Sequence, residues 1–216
     1  SIYSYRSYGH GPVNLRLVFI VQDVTQFLEE QGYPAYPVSP LGSQARLMPD
    51  GRRSLLADFS NRHAAVAAGL GEFGWLSIVL TPEYGPRQRF ASVIAEAPLE
   101  ADPMYDSPPL CAECMAKHPV HPCAAACPVD AISREETDRP CPIGERTFHY
   151  ARVDHWRCHW CEVEGLVKEG GPMYSGYTTD VPPPPVVTPE AVLEAQEKRD
   201  PWHAKSAHSY EVLGPW

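Results

Sequence analysis

The chain has 216 residues, of which 44% are hydrophobic, and a formal net charge of −9. This length supports one substantial core plus a small module, and no run approaches the roughly 18 apolar residues that span a bilayer. The acidic charge and the scattered basic residues argue against nucleic acid as a partner. No signal peptide is visible, so we expect a cytoplasmic protein, with an export signal removed before Ser1 as the alternative.

The first predicted element is a helix over residues 13–31, where apolar side chains recur on one face. Pro12 suits its first turn and Gly32 suits its end. The prolines of "GYPAYPVSP" then forbid a helix and predict an extended segment.

Further elements follow around two turn signals. "NRHAAVAAGLG" predicts a short helix with Asn61 as its cap and Gly71 at its end. "WLSIVLTPEYGPRQRFASVIAEA" predicts two strands around the turn "PEYG". After the stiff segment "TTDVPPPPVVTPE", a surface helix with Thr188 as its cap is predicted.

All the cysteines lie within one stretch of about fifty residues, which favours metal binding over a disulfide framework. They are Cys111, Cys114, Cys123, Cys127, Cys141, Cys158 and Cys161. C-x-x-C loops supply adjacent thiolates, and a Cys-Pro ending such as Cys127-Pro128 is typical of iron–sulfur ferredoxins. Because residues 109–165 show little apolar periodicity, we expect a metal to stabilise this module more than a core does.

The spacing leaves the kind of centre open. Structural zinc on the two C-x-x-C pairs is one alternative, but it would leave Cys123, Cys127 and Cys141 unused. The simplest iron–sulfur assignment gives one cluster Cys127, Cys141, Cys158 and Cys161, and the other Cys111, Cys114 and Cys123. A regular second motif would place an eighth cysteine at position 165, which is Gly165.

The second cluster then lacks a fourth thiolate. A histidine ligand, a three-iron cluster and an open iron are the alternatives. The local histidines are His118, His121, His155 and His159.

A family resemblance rests on the ordered segments "RHAAVAAGLGEFGWLSIVLTPEYGPRQRFASVIAEAPLEAD" and "CAEC…CAAACPVDAI". Together they resemble the core of corrinoid-dependent reductive dehalogenases and their relative epoxyqueuosine reductase, over roughly residues 7–165. The resemblance implies an α+β fold. It combines a nitroreductase-like corrinoid-binding core, whole or truncated, over 1–108, a ferredoxin-like iron–sulfur module over 109–172 and a Pro-rich extension over 173–216.

The resemblance also implies a function. Electrons would pass through one or two 4Fe–4S clusters to cobalamin, which reductively cleaves a small organic substrate such as an organohalide. An electron donor such as ferredoxin or flavodoxin is expected, and a partner subunit or a second copy is a further expectation. Val38 stands where the epoxyqueuosine enzymes have Asp before Ser, which argues against that activity. The alternative function is an iron–sulfur electron-transfer protein or subunit without its own corrinoid.

Site residues follow from the resemblance. The expected cofactor-binding residues are His63, Gly69, Gly71, Glu72, Gly74 and Thr81. Their plainer interpretations are turn glycines, a helix-terminal hydrogen bond for His63, a pair with Arg87 or a surface position for Glu72, and a hairpin role for Thr81.

Two further predictions concern chemistry and packing. Proton delivery after electron transfer is assigned to Tyr8, assisted by Arg46. Trp75, Trp156 and Trp160 either line an apolar pocket or shield the clusters, with core packing as the plainer interpretation.

Overall fold

The computed structural model describes residues 5–40, 46–47, 53–54, 57, 59–163 and 182–197. These residues form helices and small antiparallel two-stranded sheets, which confirms the α+β class. No helix among them is long and apolar enough to cross a membrane. Gly165 lies outside the described residues, and Arg46 is described only as part of a backbone strand pair.

The described chain divides into two compact units. The larger unit contains the described residues of 7–126 and 132–153, and the smaller unit contains residues 5–6, 127–131, 154–163 and 182–197. The cysteines are divided between them: Cys127, Cys158 and Cys161 belong to the smaller unit, and the other four to the larger. The boundaries predicted from the sequence stay a prediction.

The first helix confirms the sequence pattern. Helix α1, Gly11–Glu30, follows a π-helical turn over Tyr5–His10 and has Pro12 in its first turn. Gly32 takes a φ of +88°, and the amide of Tyr33 donates to the carbonyl of Leu28 at 3.0 Å. This is the glycine-terminated helix end that the sequence predicts.

Helix α1 packs against a sheet of two strands that are distant in sequence. Strand β1, Ala35–Val38, pairs antiparallel with strand β6, Ser92–Ala95, and the helix contacts both. Opposite partners Tyr36 and Ile94 in this sheet are exposed. The helix buries Asn14, Val21 and Thr25. The predicted apolar face is therefore only partly correct, because other members of it are exposed: Val13, Ile20, Val24 and Phe27.

Two short strands, β2 and β3, form a separate hairpin. They are Arg46–Leu47 and Arg53–Ser54.

The Ala-rich helix is confirmed, but both of its predicted end residues are wrong. Helix α2 spans Asn61–Ala67, and the side chain of Ser60, not of Asn61, accepts a hydrogen bond from the amide of His63. Asn61 instead joins the two strands of the first sheet: it donates to the carbonyl of Ser39 and accepts from Ser92.

The end of helix α2 is set by a different glycine from the predicted one. Gly69 takes a φ of +76°, and the amide of Leu70 donates to the carbonyl of Ala65 at 3.0 Å. Gly71 lies beyond the helix and begins the approach to the next strand. The pattern of two glycines could not distinguish the helix end from the strand entry.

The predicted pairing of two strands around "PEYG" is also wrong. Strand β4, Glu72–Phe73, pairs with strand β5, Val79–Leu80, whereas β6 pairs with β1. The segment "PEYG" closes a local loop, in which Thr81 and Gly85 form a bridge. The alternation of apolar residues located the strands but did not determine their partners.

The segment that carries most of the cysteines is built of short elements. The helices are α3, Ala112–Lys117, and α4, Pro122–Ala125; the strands are β7, Ile132–Thr137, β8, Cys141–Ile143, β9, Arg146–Phe148, and β10, Ala151–Val153. Strand β7 pairs with β10, and β8 pairs with β9. These strands supply Phe148 to the main hydrophobic cluster, beside Val66, Phe73 and Val79.

The smaller unit has its own apolar cluster. Helix α5, His155–Val163, carries Trp160, which is 1% exposed, against Val187 and Val192. Helix α6, Pro189–Glu197, begins where Thr188 Oγ1 accepts from the amide of Ala191, so the predicted cap is confirmed. The helix is half-buried rather than superficial, since its apolar face covers Trp160.

Candidate metal centre

None of the seven cysteines forms a disulfide. Within the described chain, which includes all seven, no three His, Cys, Asp or Glu side chains converge as they would around a single metal ion. The sequence assignment of individual ligands therefore stays a prediction.

Two thiols of the larger unit, those of Cys111 and Cys114, act on the thiol of Cys123. Burial raises the pKa of the Cys123 thiol, and the nearby Cys111 and Cys114 raise it further, while amides of Ala124 and Cys123 itself oppose the shift. Cys111 caps helix α3, Cys114 lies within it and Cys123 lies in α4. Two short helices thus carry the three thiols in the same unit, and their assignment to one cluster stays a prediction.

The long connection between Cys114 and Cys123 is anchored by an aromatic stack. The rings of Trp75 and His121 are parallel, with centroids 3.9 Å apart and an interplanar angle of 3°. The indole N–H of Trp75 donates to the carbonyl of Ser133 at 2.9 Å, which fixes the ring. Burial lowers the pKa of His121. His118 ends helix α3 in an extended conformation and borders an open depression with Pro119 and Val120.

Cys141 has different neighbours. Its thiol packs against the main hydrophobic cluster and forms a hydrogen bond with Tyr150. Burial raises the pKa of Tyr150, and Cys141 raises it further. The ring of Tyr150 lies 5.0 Å from that of Phe73. Strand pairing, rather than a loop, therefore presents Cys141.

The smaller unit presents Cys127 in a tight turn. The amide of Asp130 donates to the carbonyl of Cys127 at 3.2 Å, and Asp130 takes a φ of +48°. This turn directs the amide of Ala131 onto the Cys127 sulfur, at 3.2 Å. Amide hydrogen bonds to thiolate sulfur stabilise its charge and tune the potential of a cluster.

Arg157 ties this turn to the helix that carries Cys158 and Cys161. Its guanidinium donates to the carbonyls of Val129 at 3.3 Å, Pro184 at 3.3 Å and Pro185 at 2.6 Å. Cys158 and Cys161 are three residues apart on helix α5 and lie on one face of it. Sequence reasoning missed Arg157, because only contacts between distant segments show its role.

The three glycines expected to contact a cofactor pack against the chain itself. A Cβ at Gly69 would meet the carbonyl oxygen of Pro103 at 2.2 Å, and one at Gly71 would meet that of Leu80 at 1.9 Å. At Gly74 the nearest atom would be Leu80 Cδ1, at 3.0 Å. Close approach of backbone to backbone explains the glycines at 69 and 71.

The other expected cofactor contacts have partners within the larger unit as well. His63 Nδ1 lies 2.6 Å from Ser60 Oγ, and its pKa is lowered by burial and by Arg62. Thr81 Oγ1 accepts from the amide of Tyr84 in the "PEYG" loop. These contacts explain the residues within the fold, and the role of the six positions in cofactor binding stays a prediction.

The observed surroundings of Glu72 differ more from the predicted ones than those of the other expected cofactor-binding residues. It is buried at 6% exposure, so the surface interpretation is wrong. Its Oε1 accepts from the amide of Leu110, and its Oε2 lies 3.9 Å from Arg146, not beside Arg87. Nothing in the sequence near Glu72 indicates Arg146, which is missed for the same reason as Arg157.

The predicted proton donor is not enclosed. Tyr8 is 80% exposed in the π-helical turn before α1. The side chain of Arg46 lies outside the described part of the chain. Their joint role in catalysis stays a prediction.

Comparison with known proteins gives one consistent result. The chain is 38% identical over 102 residues to a tetrachloroethene reductive dehalogenase of Desulfitobacterium hafniense, and 33% identical over 91 residues to one of Dehalobacter restrictus. These alignments cover 44% and 39% of this chain, but only 17% and 15% of the relatives. No protein-family profile matches the chain. The chain therefore has a partial resemblance to reductive dehalogenases and, through it, to oxidoreductases.

Proposed function

We propose that this chain is an iron–sulfur electron-transfer part of a reductive dehalogenase-like oxidoreductase. One observation carries the proposal: Cys111 at the start of helix α3, Cys114 within it and Cys123 in α4 belong to one unit, and Cys111 and Cys114 are both near enough to Cys123 to raise the pKa of its thiol. Soft thiolates grouped in this way suit iron–sulfur clusters, and the partial resemblance to reductive dehalogenases supports the same chemistry.

Each group of cysteines has its own role in the proposal. Bound clusters would supply one-electron carriers at low potential. Cys111, Cys114 and Cys123 would bind one of them, and Cys127, Cys158 and Cys161 would contribute to the other. The amides of Ala124 and Ala131 stabilise thiolate charge at Cys123 and Cys127.

A second candidate is the complete reductase, in which the same chain also binds cobalamin and cleaves a small organohalide. It is favoured by the similarity to tetrachloroethene reductive dehalogenases. The contacts of Gly69, Gly71 and Glu72 within the chain account for these residues without a corrinoid, which favours the electron-transfer part instead. An electron donor such as ferredoxin or flavodoxin would serve either candidate.

The proposed function is tested by anaerobic reconstitution with iron and sulfide. We expect the protein to bind both, to show broad visible absorption and to give a paramagnetic signal after reduction. In a Cys123→Ser variant the share of iron held by the larger unit is lost, because a serine oxygen is a poorer ligand for this iron. Zinc without iron in the purified protein would contradict the proposal.

Cobalamin then separates the two candidates. Titration of the reconstituted protein with cobalamin, followed by gel filtration, measures whether the corrinoid stays with the chain. Retained corrinoid together with release of halide from tetrachloroethene supports the complete reductase. Reduced clusters without retained corrinoid support the electron-transfer part.

A further inference from the structure

The segment before Cys111 is poor in hydrogen-bond donors. Pro108 and Pro109 have no amide hydrogen, so Leu110 supplies the first amide after them. That amide donates to Glu72 Oε1 at 2.5 Å, across 38 positions of sequence. The backbone immediately before Cys111 is therefore tied to strand β4 by one charge-assisted hydrogen bond.

The carboxylate that makes this bond is itself held by Arg146. Glu72 Oε2 lies 3.9 Å from Arg146 Nη2, and Arg146 also donates to the carbonyl of Tyr105. The guanidinium lies 4.8 Å from the centre of the Phe148 ring. A buried carboxylate is costly unless it is paired and hydrogen-bonded, and both conditions are met here. The segment 105–110 is thus fixed at both of its ends.

The direction of the carboxylate is set by the strand pair. Glu72 lies opposite Leu80, and Gly71 lets the two strands approach where any Cβ would meet the Leu80 carbonyl. A buried glutamate directly after an obligatory glycine has few other orientations. The segment "GLGE" therefore places the carboxylate of Glu72 against the amide of Leu110, the residue that precedes Cys111.

We propose that Glu72 positions the Cys111 thiolate for its cluster, through the Leu110 amide, with Arg146 holding the carboxylate in place. This inference rests on the proposed function, in which Cys111 is a cluster ligand. Glu72 acts on the ligand through the backbone and does not itself bind the cluster. The charge of Glu72 would also lower the reduction potential of a cluster bound at Cys111.

Two variants and one control test this role. In Glu72→Ala the Leu110 amide loses its acceptor, and we expect loss of the share of iron that Cys111, Cys114 and Cys123 hold. In Glu72→Gln the amide oxygen still accepts the bond, so iron content is retained, while loss of the negative charge raises the reduction potential. The control is Glu136→Gln, because Glu136 pairs with Arg152 on the exposed surface of the same unit. It should leave iron content and potential unchanged.

The measurements are iron per protein, the paramagnetic spectrum of the reduced cluster and its reduction potential. Wild-type values of all three in Glu72→Ala would overturn the inference. If circular dichroism shows that Glu72→Ala does not fold, Glu72→Gln decides, and an unchanged potential overturns the inference. A wild-type protein that takes up no iron overturns the proposed function instead, so the two failures are distinguishable.

Discussion

The larger and the smaller unit secure their cysteines with opposite charges. In the larger unit a buried carboxylate, Glu72, accepts from the amide of the residue before Cys111. In the smaller unit a guanidinium, that of Arg157, donates to the carbonyl of Val129, two residues after Cys127, and to two proline carbonyls. Each charged side chain thus forms hydrogen bonds to backbone groups from distant segments: Glu72 to an amide, and Arg157 to carbonyls.

The difference follows from what each segment lacks. Before Cys111, Pro108 and Pro109 have no amide hydrogen to donate. The next amide, that of Leu110, donates to one carboxylate oxygen of Glu72. In the smaller unit the prolines at 184 and 185 offer only carbonyls, and guanidinium has enough donors to join several of them. The sign of the charged side chain therefore matches the backbone group that is left to be bonded, an amide in one unit and carbonyls in the other.

The largest expected effect is that of Gly71→Ala. The new Cβ would meet the Leu80 carbonyl at 1.9 Å, so strands β4 and β5 must separate and Glu72 must shift. We expect loss of several kcal/mol, about the 4–5 kcal/mol of the most damaging substitutions, together with loss of iron from the larger unit alone. Chemical denaturation and iron analysis measure the two effects.

Gly74→Ala is the matched control for that substitution. Its Cβ would meet the flexible Leu80 side chain at 3.0 Å, which can turn aside. Equal losses of stability in the two variants would contradict the importance of the backbone contact at Gly71.

Arg157→Met should give the next largest effect, and it should be confined to the smaller unit. Methionine keeps the apolar length of the side chain but removes the hydrogen bonds to Val129, Pro184 and Pro185. We expect about 1–3 kcal/mol of lost stability, since a charged donor is removed from partly buried carbonyls. Thermal denaturation checks this value.

Arg152→Met provides the comparison for Arg157. Arg152 makes an ion pair with Glu136 in which both side chains are more than half exposed. Pairs of this kind contribute about 0–1 kcal/mol. If Arg152→Met lost as much stability as Arg157→Met, the hydrogen bonds from Arg157 to backbone carbonyls would contribute no more than a surface ion pair.

A pair of substitutions at His121 separates stacking from metal binding. Phenylalanine keeps an aromatic face against Trp75 and removes both ring nitrogens, whereas alanine removes the stack. We expect His121→Phe to retain iron and stability, and His121→Ala to lose about 1 kcal/mol. Iron analysis of both proteins decides, because loss of iron in His121→Phe would identify the imidazole as a ligand.

The sequence predicted which segments are helices or strands, although the cap and end predicted for α2, Asn61 and Gly71, were each wrong. Proline and glycine marked both ends of α1, and Thr188 marked the start of α6. It failed where partners were remote: β5 pairs with β4 rather than β6, and Glu72 contacts Arg146 rather than Arg87. Periodicity records which side of an element is apolar, but not which distant segment covers it.

The candidate site shows the same division. The clustering and spacing of cysteines predicted a metal centre, yet the residues that secure the cysteines, Glu72 and Arg157, have no motif of their own. Glu72 was singled out as a cofactor contact, a partner of Arg87 or a surface carboxylate, and Arg157 not at all. Both are defined by hydrogen bonds to backbone groups many positions away.

The smallest predicted effect concerns pH. Burial and Arg62 lower the pKa of His63, so the unfolded chain binds the proton more readily than the folded one. The stabilisation from neutral His63 is present above its unfolded pKa and is lost as pH falls through the folded pKa. We expect the free energy of unfolding to decrease on acidification below neutrality, and to decrease less in His63→Gln. Equal pH dependence in the two proteins would contradict this assignment.

The Trp75–His121 stack gives the cysteine loop an optical reporter. An indole that faces an imidazole at 3.9 Å is shielded from water, so its fluorescence should differ in intensity and colour from that of a solvated indole. With the other four tryptophans replaced by phenylalanine, emission from Trp75 would report whether the stack with His121, between Cys114 and Cys123, is formed. Assembly of the proposed centre could then be timed by light, without any label added to the chain.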